Sequence, residues 1–516
     1  MSAEVISQPN VTFNIIPGQE EISNAPQKVL FVGQKTTAGS AVSGELQESI
    51  LNDNSEDTLF GANSILAGMI RAYKRLNKVT RIDAIGLDDS GTGVAATGNF
   101  TIGGTTASEI GTYVVTVGSN KNHKYSIAVA SGDTPTIVGD AIEAAINADT
   151  KCPVTASNTT GVVTLTAVND GTAGNNITLR ITGAVAGLTS AVTGMTGGAN
   201  DPVVTSVFDV IGDERYQTIV APSEYGTTFL TDLLDPRFNA TNKVLDGVAI
   251  ITKTDTFANL QSAGNAENSQ SLVIFGNKAK STSTFDGSSM VELDHVISAQ
   301  IAANRSERLT DGANIANIVI ATSGPLDSFG GKDIASLPYF NTPYPDLPIL
   351  AVGDGFDSTE EASLNAAGIS LLGNNIVRNT VICGEVVTTR KTDVAGNPEL
   401  TFKFLNAVDT SSVVREFYFN NNRARFAQSR LTLGDLVPNR SIANPSSIRA
   451  FQVELFQALG GLLVQSDETN LKFFKDNLTV NADVLTGKVT LTMKVPIVGQ
   501  LREMLGTIQI VFSANN

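Results

Sequence analysis

Lys488–Asn516, KVTLTMKVPIVGQLREMLGTIQIVFSANN, alternates apolar and polar residues twice. Val489, Leu491, Met493 and Val495 share one face and Thr490, Thr492 and Lys494 the other, the period of a strand with one buried side. Pro496 interrupts the pattern, because proline cannot donate to a sheet ladder. After Gln500–Leu505 the alternation resumes, with Ile508, Ile510 and Phe512 opposite Thr507, Gln509 and Ser513. Near the other terminus Val11, Phe13 and Ile15 alternate with Thr12 and Asn14. An amphipathic strand near each end carries an unpaired edge, and folded proteins cover such edges. Each strand therefore pairs inside its own domain or with another copy of the chain.

Composition sets the frame for the rest. A chain of 516 residues predicts roughly two to four domains with sizeable cores. Hydrophobic residues make up 41% and charged residues 17%, a globular balance. Forty-six glycines, no tryptophan and abundant Thr, Ser, Ala and Asn point to many strands and turns. A formal net charge of −16 argues against a general nucleic-acid binder, which needs a basic footprint. Cys152 and Cys383 are too few for a disulfide scaffold. They read as reduced thiols of a cytoplasmically made protein, with one long-range bridge as the alternative. Met1–Asn10 has neither the basic nor the apolar region of a secretory signal. No apolar run approaches the ~20 residues of a membrane helix.

The chain divides by pattern. Residues 1–27 read as an extended arm, whose roughly 20 free residues reach about 60 Å; the alternative is an edge strand lying on its own domain. Strand Val29–Gly33, a helix over Asp57–Leu76 capped by Asn54 or Ser55, and strand Val79–Leu87 make a β-α-β opening, hence a parallel sheet. The helix turns Leu66, Met69, Ile70 and Tyr73 inward. Residues 88–201 form an inserted β-rich domain, with strands at Tyr113–Gly118, Lys124–Ala130, Val162–Ala167 and Asn176–Thr182 and a helix over Thr136–Ala148. The α/β pattern resumes over 202–357. Strands at Gln217–Val220, Val248–Thr252 and Leu272–Phe275 alternate with helices at Thr227–Leu234, Asp255–Ala263 and Met290–Ala303, the first expected to stop before Pro236. With residues 28–87 this predicts a discontinuous doubly wound α/β core domain of about five strands.

An α+β C-terminal domain follows over 358–505, before the closing strand at 506–516. It carries helices Thr359–Ala367, Thr410–Phe426 and Ser446–Leu463 and strands Val381–Val387 and Leu400–Phe404. Between residues 406 and 450, Arg415, Arg423, Arg425, Arg430, Arg440 and Arg449 outnumber Asp409, Glu416 and Asp435. This basic segment reads either as a solvated helix face or as a docking face for an acidic partner.

Chemistry-bearing motifs are absent from the sequence. His123 and His295 lie far apart and no CxxC occurs, so metal-ligand spacing is missing. His123 sits in a Lys-Asn-His-Lys turn and reads as exposed; His295 reads as a structural helix residue. Neither a GxSxG elbow, an HExxH helix nor a phosphate-binding GxxxxGK loop is found. Gly91, Gly93 and Ala96 form a degenerate GxGxxA with no helix opening behind it. Asp88-Asp89 and Glu360-Glu361 read as a turn and a helix start. No cofactor or catalytic residue is assigned.

The order of segments resembles the contractile phage tail sheath family, and within it the Mu-like myophage sheaths. The resemblance is carried by Phe451–Phe512 (FQVELFQALGG through GTIQIVF), by Gly139–Leu179 (GDAIEAAINADTKCP through GNNITL), by Val11–Gln34 (VTFNIIPGQEE through VLFVGQ) and by Leu59–Asn77 (LFGANSILAGMIRAYKRLN). It implies a non-enzymatic structural subunit of a virion tail. Such subunits polymerise as stacked sixfold rings around an inner tail tube and contract on a baseplate signal to drive the tube through the host envelope. The implied partners are further copies of the chain, the tube protein, and the baseplate and tail terminator proteins, with no nucleic acid and no membrane insertion. By matching position, Val11, Phe13 and Ile15 correspond to a donated N-terminal strand and Ile508, Ile510 and Phe512 to a donated C-terminal strand. Val489, Leu491, Met493 and Val495 correspond to the receiving strand. The inserted domain would lie outward. In the family the helix before the closing strands faces the tube and often carries basic residues. Here it carries only Arg449, which moves candidate tube contacts to Arg423, Arg425, Arg430 and Arg440. The remaining alternatives are a cytoplasmic α/β enzyme with an unrecognised site, supported only by the doubly wound pattern, and another structural polymer.

Overall fold

The computed structural model describes residues 27–119, 122–238, 240, 243–278, 292–321, 339, 342–349, 355–378, 380–434, 442–460 and 463–498. Val11, Phe13, Ile15, Ile508, Ile510, Phe512 and Arg440 lie outside them.

The chain enters the core through β1 (Lys28–Gln34), buried on both faces. A short edge strand, β2 (Leu46–Gln47), follows. The single helix expected next is two: α1 (Ser55–Phe60) and α2 (Ile65–Leu76). Gly61 breaks it with φ +86°, a left-handed value that glycine alone adopts without strain, and a Cβ there would lie 1.9 Å from Thr36 Oγ1. The second helix restarts at Ser64, whose hydroxyl accepts from the Ala67 N–H. Asn54 precedes α1 but makes no side-chain cap bond. Leu66, Met69, Ile70 and Tyr73 are fully buried. β3 (Arg81–Leu87) then pairs parallel with β1.

The inserted segment holds β4 (Thr97–Gly104), β5 (Gly111–Val117), β6 (Lys124–Val129), α3 (Pro135–Ala148), β7 (Val154–Thr159), β8 (Val162–Ala167), β9 (Leu179–Thr182) and β10 (Leu188–Thr196). They form two antiparallel sheets, ordered β10-β4-β8-β7 and β6-β5-β9. Phe100, Val115, Ile142 and Leu165 are buried between them and α3. The free edge of β7 is covered by its own helix. The Asn147 amide donates to Ala156 O at 2.8 Å and accepts from Ala156 N at 2.9 Å, and Glu143 accepts from Asn158 N at 2.8 Å.

The core resumes with β11 (Thr218–Val220), α4 (Thr228–Phe238), β12 (Val248–Asp255), α5 (Phe257–Ala266), β13 (Leu272–Lys278), α6 (Asp294–Ala321), β14 (Pro343–Tyr344), α7 (Ser358–Ala366), β15 (Ile369–Asn374) and β16 (Val381–Cys383). The resulting nine-stranded sheet runs β14-β16-β15-β13-β12-β11-β1-β3-β2. Strands β15, β13, β12, β11, β1 and β3 are parallel, and β2, β16 and β14 join antiparallel. Val29 and Phe31 face α2 and α6, while Leu30 and Val32 face the layer of α4, α5 and α7. The sheet is therefore wound on both sides, and it is larger than the five strands expected because it gains the short strands β2 and β14 at its edges and continues past residue 357 through α7, β15 and β16. α4 runs through Pro236 to Phe238 rather than stopping before it. Proline there gives up its own backbone hydrogen bond, and the helix ends two residues later. Leu400–Phe404 forms no strand, only a bridge between Val387 and Phe404.

The last segment comprises α8 (Leu405–Phe426), β17 (Arg430–Leu431), β18 (Ile442–Ala443), α9 (Pro445–Ala458), α10 (Glu468–Asp476), β19 (Thr479–Asp483) and β20 (Lys488–Thr492). Val413, Phe417, Leu455, Leu459 and Phe474 make a third core, in which the Phe456 and Phe474 rings stack at 4.3 Å. Among the described residues β19 and β20 pair only with each other, as an antiparallel hairpin.

Candidate functional site

A doubly wound sheet binds ligands outside the carboxyl ends of its strands, where strand order reverses. Here that point lies between β1 and β11, and it is filled by protein. The Gln34 amide donates to Asp89 Oδ1 at 2.6 Å and to Asp170 O at 2.7 Å. The Tyr225 hydroxyl accepts from Gln34 N at 3.0 Å. Asn169 donates to Lys35 O and to Asp89 Oδ1. A loop of the inserted segment, Asn169–Asp170, thus occupies the crevice and consumes its polar groups. Asp88-Asp89 is irregular backbone after β3, just before the turn closed by Gly93 N and Ser90 O, and Asp88 pairs with Lys35. Glu360 completes a capping box with Asp357 at the start of α7.

The histidines are structural. His123, expected to be exposed, is largely covered, and its Nδ1 lies 2.8 Å from Asp149 Oδ2, which also accepts from the Tyr125 hydroxyl. Burial would raise the Asp149 carboxyl, but the bonds from His123, Lys151 N and Tyr125 hold it below its usual range. His295 packs over Gly68 where α2 meets α6; a Cβ on that glycine would be 3.9 Å from His295 Nε2. Burial pushes the His295 ring down to about 4. Beside it, Asp294 accepts from Thr254 N at 2.8 Å and from the Thr254 hydroxyl. Burial and the Glu224 carboxylate push Asp294 up to about 7. Among the described residues no His, Cys, Asp and Glu cluster could hold a metal ion, and no helix is long and apolar enough to cross a membrane. Cys152 and Cys383 are free and buried.

The feature best suited to a partner is a groove of about 720 Å³ beside β20. One wall is α8, through Val414, Tyr418 and Phe419; the other is Leu491, Met493, Val495 and Ile497. The alternation read from the sequence explains this wall. Val489 and Leu491 are half-buried while Lys488, Thr490 and Thr492 are exposed. Met493 and Val495 continue the apolar face against the third core. Beyond Pro496, whose carbonyl accepts from Gln465 N, the chain is pinned to Leu463–Gln465. The hairpin therefore offers two backbone edges, one of them bordering the groove.

The candidate arginines separate. Arg423 lines the groove, and Arg425 and Arg430 are exposed nearby, Arg425 lying 6.0 Å from the Phe451 ring. Arg449 instead donates to Leu478 O and Lys475 O, closing the end of α10. Arg415, read with the others as part of a basic face, instead pairs with Asp246, a partner sequence reading did not name.

No protein-family model matches the sequence. Across 462 residues the chain is 25% identical to the Mu-like prophage FluMu tail sheath protein of Haemophilus influenzae, covering 87% of this chain and 86% of that one. The similarity is to a tail sheath protein along nearly the whole chain, as the sequence resemblance implied. Among solved structures, the sheath tail protein Lin1278 of Listeria innocua aligns over 93% of this chain and 94% of its own, at 12% identity and a TM-score of 0.44. The contracted helical sheath of the anti-feeding prophage aligns over 98% and 99%, at 10% identity and a TM-score of 0.46.

Proposed function

We propose that this chain is a structural subunit of a contractile phage tail sheath, polymerising around an inner tube and working by rearrangement rather than catalysis. The observation that carries this reading is the match to the Mu-like sheath protein over most of both chains. We further propose that subunits are linked by exchanged strands. Among the described residues the β19–β20 hairpin has two free edges, and the sequence holds two amphipathic strands, around Val11–Ile15 and Ile508–Phe512, that would add to them. Strand addition would supply backbone hydrogen bonds, and the apolar groove would select the side chains. Rings, contraction around the tube and contact of Arg423, Arg425 or Arg430 with it belong to the same reading.

Deleting Met1–Pro17 tests the linkage. Negative-stain microscopy of the full chain is expected to show hollow striated tubes or stacked rings, and the truncated chain folded monomers. Tubes from the truncated chain would sink the exchange of N-terminal strands.

A further inference from the structure

At the amino ends of the parallel strands, opposite the filled crevice, lies a buried cluster of charge. Arg305 donates to Gln217 O, to the Thr218 hydroxyl at 2.6 Å and to Asp409 Oδ1 at 2.6 Å. Tyr339 donates to the other oxygen of Asp409. Arg215 donates to Asp246 O, to Glu416 Oε2 at 2.6 Å and to the Ser412 hydroxyl at 2.9 Å. Asp246 also pairs with Arg215 and Arg415 and accepts from Ser412. The cluster binds α8, through Asp409, Ser412 and Glu416, to the sheet and to α6.

The point where residues 1–26 join the core touches the same cluster. The Lys28 N–H donates to Gln217 Oε1 at 2.8 Å. A cavity of about 10 Å³ is lined by Gln27, Asp246, Arg305, Ser412 and Glu416 among others. That is the space one water needs. Among its lining residues, Gln27 Oε1 and Arg305 Nε are buried and make no hydrogen bond among the described residues, whereas Asp246 Oδ1 is taken up by Arg215 and Arg415. A water there would accept from Arg305 Nε and donate to Gln27 Oε1, two bonds, the lower end of the range for a buried water.

We infer that a single buried water joins Gln27 to Arg305, whose guanidinium holds Asp409 of α8, so that the root of the N-terminal segment and helix α8 are held as one mechanical unit. This rests on the reading of residues 1–27 as an exchanged arm. The donating end of a subunit is then coupled to a wall of its own receiving groove, because α8 supplies Val414, Tyr418 and Phe419 to that wall. Tension on an arm would reach the groove through the cluster.

Hydrogen exchange on the unassembled full-length chain tests the coupling from both ends. Gln27→Leu removes the acceptor at the arm root, and Ser412→Ala removes a bond at α8. Gln27→Leu is expected to speed exchange in peptides over Ser411–Glu416 by about tenfold, the loss expected for a hydrogen bond to a charged group. Ser412→Ala is expected to do the same over Gln27–Phe31, since coupling between two sites is reciprocal. Peptides from α5, which touches neither site, should be unchanged. If either substitution acts only at its own end, or if α5 opens equally, the inference is overturned. The measurement needs no polymer, so it stands apart from the deletion experiment: tubes from the truncated chain would remove the exchanged arm but not the coupling. Should Gln27→Leu fail to fold, Gln27→Asn retracts the same acceptor.

Discussion

Asp294 and His295 are chain neighbours at the start of α6 whose protonation works in opposite directions. Asp294 is 6% exposed, and burial with the Glu224 carboxylate raises it from 3.8 to about 7. The native state therefore binds its proton more tightly than the unfolded chain. The cost of ionising it is absent below about pH 4, grows as pH rises, and is complete above about pH 7. A shift of about three units corresponds to roughly 4 kcal/mol. His295 is lowered from 6.5 to about 4, so its contribution is intact above about pH 6.5 and is lost as pH falls, by roughly 3 kcal/mol. Over the same window the two nearly cancel, and wild-type stability alone would hide both. Asp294→Asn separates them. The amide oxygen can still accept from Thr254 N, the amide nitrogen can donate to the Thr254 hydroxyl, and no charge is left beside Glu224. Urea unfolding of wild type and variant between pH 4 and pH 8 should give a difference that moves in favour of the variant by roughly 4 kcal/mol as pH rises. In thermal melts the same change is roughly 4 °C if the chain unfolds as one unit. A difference that stays flat with pH would refute the reasoning, because the Asp294 carboxylate would then carry no ionisation penalty in the fold.

Two further predictions concern packing and edges. Gly264→Ala places a Cβ 2.5 Å from Ala367 O and 2.9 Å from Ile369, so it should cost about 1–3 kcal/mol in urea unfolding, whereas Gly194→Ala meets nothing within 4 Å and should cost far less. Asn147→Ala removes both bonds to the backbone of Ala156, and should cost about 1–2 kcal/mol and raise the aggregation rate by light scattering, because it uncovers the β7 edge.

Much of the architecture was legible because its signals are local. The apolar runs of β1, β11, β12 and β13 announce a sheet covered on both faces. The alternation at Val489–Val495 announced the apolar wall of the groove. What escaped is non-local or compositionally weak. β4, β7 and β10 dilute a few apolar residues (Phe100 and Ile102, Val154, Leu188 and Val192) among Gly, Ser, Ala and Asn, which weakens the strand signal that their pairing supplies in the fold. The break at Gly61 depends on Thr36 standing in the way, a contact no window of sequence contains. The Arg215–Glu416 and Arg305–Asp409 pairs join residues about a hundred or more positions apart. Arginine-rich 406–450 read as one basic face; in the fold Arg415 and Arg449 turn inward to Asp246 and to the end of α10. His123 read as exposed because its partner, Asp149, comes from beyond α3.

The polar groups of this fold are largely committed to holding its parts together. The crevice at the switch point is closed by Asn169 and Asp170, and the charges at the opposite end bind α8. What remains open in the hairpin is backbone edge and apolar groove, and the energetics of strand addition there are instructive. A six-residue strand would add about five ladder bonds at ~1 kcal/mol each. Three buried side chains such as Ile508, Ile510 and Phe512 would add ~2 kcal/mol each. Ordering six residues costs ~1.5 kcal/mol each. The gain of about 11 kcal/mol against a cost of about 9 leaves one added strand only marginally stable. A pair of subunits joined that way would separate readily. A subunit that gives two strands and receives two is held at four places, and each attachment raises the effective concentration for the next. On the proposed reading, cohesion is therefore a property of the polymer. Single links can stretch and re-form while subunits turn, and the lattice stays connected without any catalytic group.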